Sequence, residues 1–156
     1  MRTIVILFVF SLIFLFEHPK VQAQTVTLSN TSIEIDLPEG FEVATQFSGL
    51  IHKGTATTVM GLEKENTSYL VVSSAMDEQY FADQDLTLLN KENISFNGHE
   101  GILFTCAFTV DSVAFERMIF LTGDHNNAKV VIANYPEIAK IQLASLVKDC
   151  ITKIKF

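Results

Sequence analysis

Tryptophan is absent from the 156 residues, proline occurs three times, and cysteine only twice, at Cys106 and Cys150. Two cysteines exclude a disulfide-stapled miniprotein: one bridge is the ceiling, so a hydrophobic core must hold the fold. Basic side chains are scarce too, 11 against 18 acidic ones for a net charge of −7. That balance repels phosphate backbones and anionic lipid, which sets aside nucleic acid and membrane surfaces as partners. The acidic residues are scattered along the chain, as solubility requires. No Gly-x-Ser-x-Gly elbow, no phosphate-cradling glycine loop and no His-x-x-x-His spacing occurs, so the common signatures of hydrolases, nucleotide enzymes and zinc sites are missing. Past residue 16 no apolar run is long enough to cross a bilayer.

The start of the chain is different in kind. Met1-Arg2-Thr3 is basic, Ile4–Phe16 is almost unbroken apolar sequence, and Val21-Gln22-Ala23 brings small residues. This is the layout of a secretory signal peptide cleaved after Ala23. The apolar run is about 13 residues, short of the roughly 20 that span a bilayer. With no cysteine at the junction, lipid modification is not expected. Residues 24–156 then form a single exported domain, secreted or periplasmic and soluble, with no membrane insertion after cleavage. Loss of Arg2, Lys20 and Glu17 takes the charged residues to 9 basic and 17 acidic, a net charge of −8.

Within that domain the densest core-forming stretch is Asn97–Leu121. Asn97-Gly98 between apolar runs is a hairpin signal, because both residues tolerate positive φ. Setting Phe96 opposite His99 puts Ile102, Phe104, Cys106, Phe108 and Val110 on one face, and Leu103, Thr105, Ala107 and Thr109 on the other. Neither face is charged, so both are expected to be covered. Asp111-Ser112 turns the chain into Val113–Leu121, and Gly123–Asn127 turns it into Lys129–Asn134. Upstream, Thr25–Leu28, Ser32–Leu37, Phe41–Ala44, Leu50–Lys53 and Thr57–Glu63 read as strands, with Ile33, Ile35 and Leu37 on one side of theirs. Residues 64–86 are ambiguous between a hairpin across Glu65-Asn66-Thr67 and a helix. Tyr69, Val72, Met76 and Tyr80 at helical spacing favour a helix over Ser68–Asp83, capped by Asn66 or Thr67. Leu88-Leu89 and Ile94–Phe96 belong to one strand or two. Pro136-Glu137 opens a closing helix whose apolar side is Ile138, Ile141, Leu143, Leu146, Val147 and Cys150, and Ile151–Phe156 finishes as a frayed end or short strand. The sum is an α+β chain: a mainly antiparallel sheet clad by helices.

The run Ile33-Glu34-Ile35-Asp36-Leu37-Pro38-Glu39-Gly40-Phe41, then Thr87-Leu88-Leu89, Phe96-Asn97-Gly98-His99-Glu100-Gly101 and Phe115-Glu116-Arg117-Met118-Ile119, closing on a Pro136 helix, resembles the Mog1/PsbP-like family. The similarity is greatest to its small exported bacterial members and covers nearly all of residues 32–156. It implies an α/β/α sandwich around an antiparallel sheet, supports a helix over 68–83, and implies action by binding. One branch of the family contacts a small GTPase and another supports the oxygen-evolving side of photosystem II. No partner-contacting residue of either branch matches this chain.

Candidate chemistry is thin. His99 and His125 sit in turns beside Glu100 and Asp124, and imidazole with carboxylate suits zinc if the turns meet, though exposed turn residues explain them as well. Cys106, between Phe104 and Phe108, reads as a buried filler and not a nucleophile. Cys106 and Cys150 can pair if the closing helix lies on the Phe104/Cys106/Phe108 face; two separate thiols are the alternative. Arg117 is either a solvent-facing strand residue or a holder of a ligand carboxylate. Asn30, Asn66 and Asn93 open Asn-x-Ser/Thr triplets. The expectation is an exported, non-enzymatic binding or accessory protein with no cofactor and no metal site, whose partner is a protein or small molecule of the cell envelope. The alternatives are a small extracytoplasmic hydrolase or metal-dependent enzyme assembled from distant turns, and a structural subunit of an envelope complex marked by an exposed apolar patch.

Overall fold

The computed structural model describes residues 24–156, and the leader assigned to residues 1–23 lies outside the described residues. Short N-terminal strands come first: β1 (Thr25–Thr27) and β2 (Glu34–Asp36) pair with each other, and β3 (Glu42–Val43), β4 (Gly49–His52) and β5 (Thr57–Glu65) begin the main sheet. Two helices follow, α1 (Tyr69–Ser74) and α2 (Glu78–Ala82). The long meander β6 (Thr87–Phe96), β7 (His99–Val110), β8 (Val113–Gly123) and β9 (Asn127–Pro136) comes next, and a 3-10 turn, Glu137–Ala139, leads into α3 (Lys140–Thr152). The main sheet runs β3-β4-β5-β9-β8-β7-β6, antiparallel throughout. The chain leaves β5 mid-sheet, and α1 and α2 carry it over the width of three strands to the far edge. The meander then returns to close on β5.

Register follows from the turns. Asn97 and Gly98 take φ of 50° and 81°, and Asp111 and Ser112 take 49° and 66°. Both two-residue loops therefore have the left-handed pair that a twisted hairpin requires. Phe96 lies opposite His99 and Val110 opposite Val113, so the two faces separate as the alternation predicts. Phe104, Cys106, Ile119 and Leu121 pack under α1 and α2 with Met76, Phe81 and Leu86. Leu103, Met118, Phe120, Val131, Ala133 and Tyr135 pack under α3 and the β1–β2 pair, against Leu28, Ile33, Ile35, Val147 and Ile151. Sheet with helices on both sides is the expected α+β sandwich. No helix among the described residues is long and apolar enough to cross a membrane.

Four details depart from the sequence reading. The helix expected over Ser68–Asp83 is two short ones, because Asp77 adopts an extended backbone (φ −97°, ψ −177°) and caps α2 by accepting from the Tyr80 amide. Ser68, not Asn66 or Thr67, caps α1. Asn66 is left-handed at φ 55°, whereas a cap residue needs extended backbone. On α3 the buried stripe is Leu143, Val147 and Ile151, while Ile138 and Ile141 stand 93% and 99% exposed. Finally, α3 covers the face opposite Cys106. Cys106 is buried in the layer under α1 and α2, Cys150 flanks the layer under α3, and both thiols are free. The sheet lies between them, so the condition for a bridge is not met.

Candidate functional site

The β7–β8 hairpin end of the sheet collects the unusual side chains. In an antiparallel ladder, residues directly opposite share a face, so alternate rows look to opposite sides. One row is Cys106, Arg117, Asn134 and Thr58; the next is Ala107, Glu116 and Tyr135. Consecutive charges in one strand, Glu116-Arg117, must therefore part to opposite faces.

Glu116 goes to the α3 side, where it is only 5% exposed. Its carboxylate accepts from the Tyr135 hydroxyl and from the ammonium of Lys140, the first residue of α3. A buried carboxylate needs such partners, since leaving it unmatched costs several kcal/mol, roughly. Burial first, and then the hydrogen bond to Glu116, push the Tyr135 phenol well above its ordinary value. The Glu116 hydrogen bond likewise raises Lys140. The cluster fixes where α3 begins.

Arg117 goes to the α1/α2 side, the face it shares with Cys106, and is half-buried there. Its Nε donates to Asn134 Oδ1 at 2.7 Å, and the Asn134 amide donates to Thr58 Oγ1 at 3.2 Å. The guanidinium carbon lies 4.8 Å from the Phe108 ring centroid, and Phe108 stacks on Phe115 across the hairpin at 5.4 Å.

A groove of about 630 Å³ opens beside these rows, lined by Leu89, Phe108, Phe115, Glu116, Glu137 and Lys140 among others. It shares Ala114 and Glu137 with a second hollow of about 480 Å³ at Val113 and Ile138. Leu89 is pushed into it by a β-bulge between Leu88 and Asn90. Leu89, Val110, Val113, Ile138 and Ile141 are all exposed large apolar residues. Such residues scattered singly are ordinary, but Leu89, Val113 and Ile138 come together on these two adjoining hollows.

The other candidates disperse. The turns that carry His99 and His125 lie at the same end of the sheet, remote from this hairpin. There the His99 ring packs on Phe156 at 4.7 Å. Asp124 accepts from the amides of Asn126 and Asn127, which holds its carboxyl below the ordinary value. No three His, Cys, Asp or Glu come together as metal ligands among the described residues. His52 is tied to Thr55 and edge-on to Phe41. Burial pushes the Cys106 thiol up to about 11 and the Cys150 thiol to about 12, the reverse of what an activated nucleophile needs. Sequence reasoning missed Glu116, although the adjacency of two charges in an apolar strand signals that one of them must face the core.

No protein-family model matches the chain and no curated protein matches it in sequence. Solved structures do match in shape. The cyanobacterial PsbP protein of Synechocystis sp. PCC 6803 superposes with a TM-score of 0.58 at 14% identity, covering 85% of this chain and 91% of that one. LpqN of Mycobacterium tuberculosis, described as involved in cell envelope biogenesis, gives 0.57 at 8% identity, covering 85% and 90%. A Bacteroides thetaiotaomicron VPI-5482 protein gives 0.55 at 8% identity over 79% of this chain and 44% of its own. At these identities the likeness is one of fold, and the fold of this chain is the Mog1/PsbP-like one.

Proposed function

We propose that the protein is an exported accessory module that acts by docking a partner protein of the cell envelope, without catalysis of its own. The observation that carries this reading is the placing of Leu89, Val113 and Ile138 on the two adjoining hollows at the hairpin end, with Ile141 exposed beside Lys140, where none of them contributes to a core. Exposed apolar area of this kind, rimmed by Asp85, Glu137 and Lys140, has the make-up of a protein contact: an apolar centre inside a polar edge. Support for export comes from the basic–apolar–small order of residues 1–23. The net charge of −8 once that leader is removed argues against a polyanionic partner.

The test places a photo-crosslinking amino acid at Ile138, Ile141 or Val113 in living cells, with Lys64 on β5 as the control position, followed by separation of the cell compartments. The reading expects the protein outside the cytoplasm and a single adduct of discrete mass from the first three positions only. Retention in the cytoplasm, or the same adducts from Lys64, refutes it.

A further inference from the structure

Six ion pairs among the described residues each use a lysine: Lys53, Lys129, Lys140, Lys148, Lys153 and Lys155. Arg117 takes part in none of them. It is the sole arginine after Arg2, and it sits half-buried on the α1/α2 face of the sheet in a chain with 18 acidic residues. Its one hydrogen bond uses Nε, and its plane is set by Phe108 below and by Asn134, itself held by Thr58. The two terminal amino groups make no hydrogen bond among the described residues, yet no buried side-chain nitrogen lacks a partner, so both reach solvent. A guanidinium fixed on one edge and open on the other is a fork already oriented for a bidentate acceptor. Fixing it beforehand removes much of the ordering cost of binding.

We infer that Arg117 is the receptor for an acidic side chain of the docked partner, presented next to an apolar residue that enters the neighbouring groove. Phe108 links the two, because it carries the guanidinium and also lines the groove. The occupant is a polypeptide segment and not a small molecule. Small ligands need enclosure of most of their surface, and Arg117 lines neither the 630 Å³ groove nor the 480 Å³ hollow beside it. The anion is a single carboxylate and not a phosphate chain, because the acidic chain repels polyanions at long range. This inference rests on the docking reading and adds the chemistry of one contact to it.

The experiment selects random twelve-residue peptides on the intact exported protein by display, then measures amidated synthetic versions by titration. Expected is enrichment of peptides with Asp or Glu beside Leu, Ile or Phe. Binding should fall at least tenfold in Arg117→Gln, fall less in Arg117→Lys, which keeps charge but loses the fork, and stay unchanged in Lys64→Gln. Because Arg117 also packs on Phe108, the wild-type protein is titrated as well with the peptide whose acid is changed to its amide; the same tenfold loss is expected there. Selected peptides without an acid, or equal affinity for wild type and Arg117→Gln, overturn the inference. If those peptides are still lost in Ile138→Glu, the groove remains the docking site and only the carboxylate contact is wrong.

Discussion

Glu63 and Lys129 pair across β5 and β9 of the large sheet and together hold Ser32, in the connection between β1 and β2, and breaking the pair from one side should be costly. Their side chains are 19% and 8% exposed. The Lys129 ammonium donates to Glu63 and, at 2.8 Å, to Ser32 Oγ, while the Ser32 amide donates to the other Glu63 oxygen at 2.8 Å. Removing one partner of a buried pair typically costs about 3–5 kcal/mol, because the other charge is stranded. In Glu63→Gln the lysine keeps Ser32 and the Phe156 ring at 4.8 Å, so the expected loss is nearer 2–3 kcal/mol, roughly. Adding Lys129→Met removes the stranded charge and should restore stability to within about 1 kcal/mol of wild type, so the two changes are far from additive. Urea unfolding of the four proteins measures this. The sign with pH is fixed as well. Lys129, and then the Ser32 amide, hold the Glu63 carboxyl below its ordinary value of 4.5. Its contribution is therefore complete above 4.5 and disappears as pH falls through the lowered folded value. The gap between wild type and Glu63→Gln should close in acid. A single variant within about 0.5 kcal/mol of wild type at neutral pH, the range of an ordinary surface change, or a gap that widens in acid, refutes the argument.

Three further outcomes follow from packing. Phe81 is fully buried against Phe104 at 5.3 Å and is the anchor of the five-residue α2, so Phe81→Ala should lose about 3–5 kcal/mol in the same assay. Gly101 has the Phe120 ring 2.4 Å and the Leu121 carbonyl 2.6 Å from where a Cβ would stand; Gly101→Ala should cost about 1–3 kcal/mol, and an unchanged midpoint would mean that β7 and β8 are not paired in this register. With Cys106 and Cys150 free on opposite sides of the sheet, the melting temperature should be the same with and without reductant. Both thiols should react with iodoacetamide at pH 8 only after denaturation, and a mass lower by two hydrogens would contradict the placement.

The sheet was largely legible in the sequence because its information is local. Strict alternation in Ser32–Leu37, the long apolar runs of Gly101–Leu121, and turn pairs that accept positive φ fix both strand and register within a few residues. The segment 68–83 was less so. Its apolar spacing is helical on either side of Asp77, and the break there depends on that side chain reaching the Tyr80 amide, a choice that periodicity does not record. The face of the closing helix was harder still. Ile138 and Ile141 have the hydrophobicity of core residues, and only the docking of α3 through Leu143, Val147 and Ile151 leaves them outside. The disulfide question turned on the same fact, which side of the sheet the last helix covers, and nothing within residues 136–156 encodes it.

That geometry also explains why the candidate site lies where it does. Ile141 precedes Leu143 by two residues, roughly 200° around a helix of 3.6 residues per turn, so a helix that buries Leu143 must turn Ile141 outward. The outward face is held in place by Glu116, whose buried carboxylate grips Lys140 one residue before Ile141 and two after Ile138. Arg117, the next residue in the strand, is sent by the pleat to the other side, onto Phe108. One pair of adjacent charges in β8 therefore sets both halves of the proposed contact: the position of the exposed isoleucines on one side and the guanidinium fork on the other. Glu116→Gln keeps a hydrogen-bonding side chain but loses the charge that holds Lys140. It should weaken docking through Ile138 while leaving the Arg117 contact with an acidic peptide intact, a separation that titration of the same peptides against Glu116→Gln and Arg117→Gln reads directly.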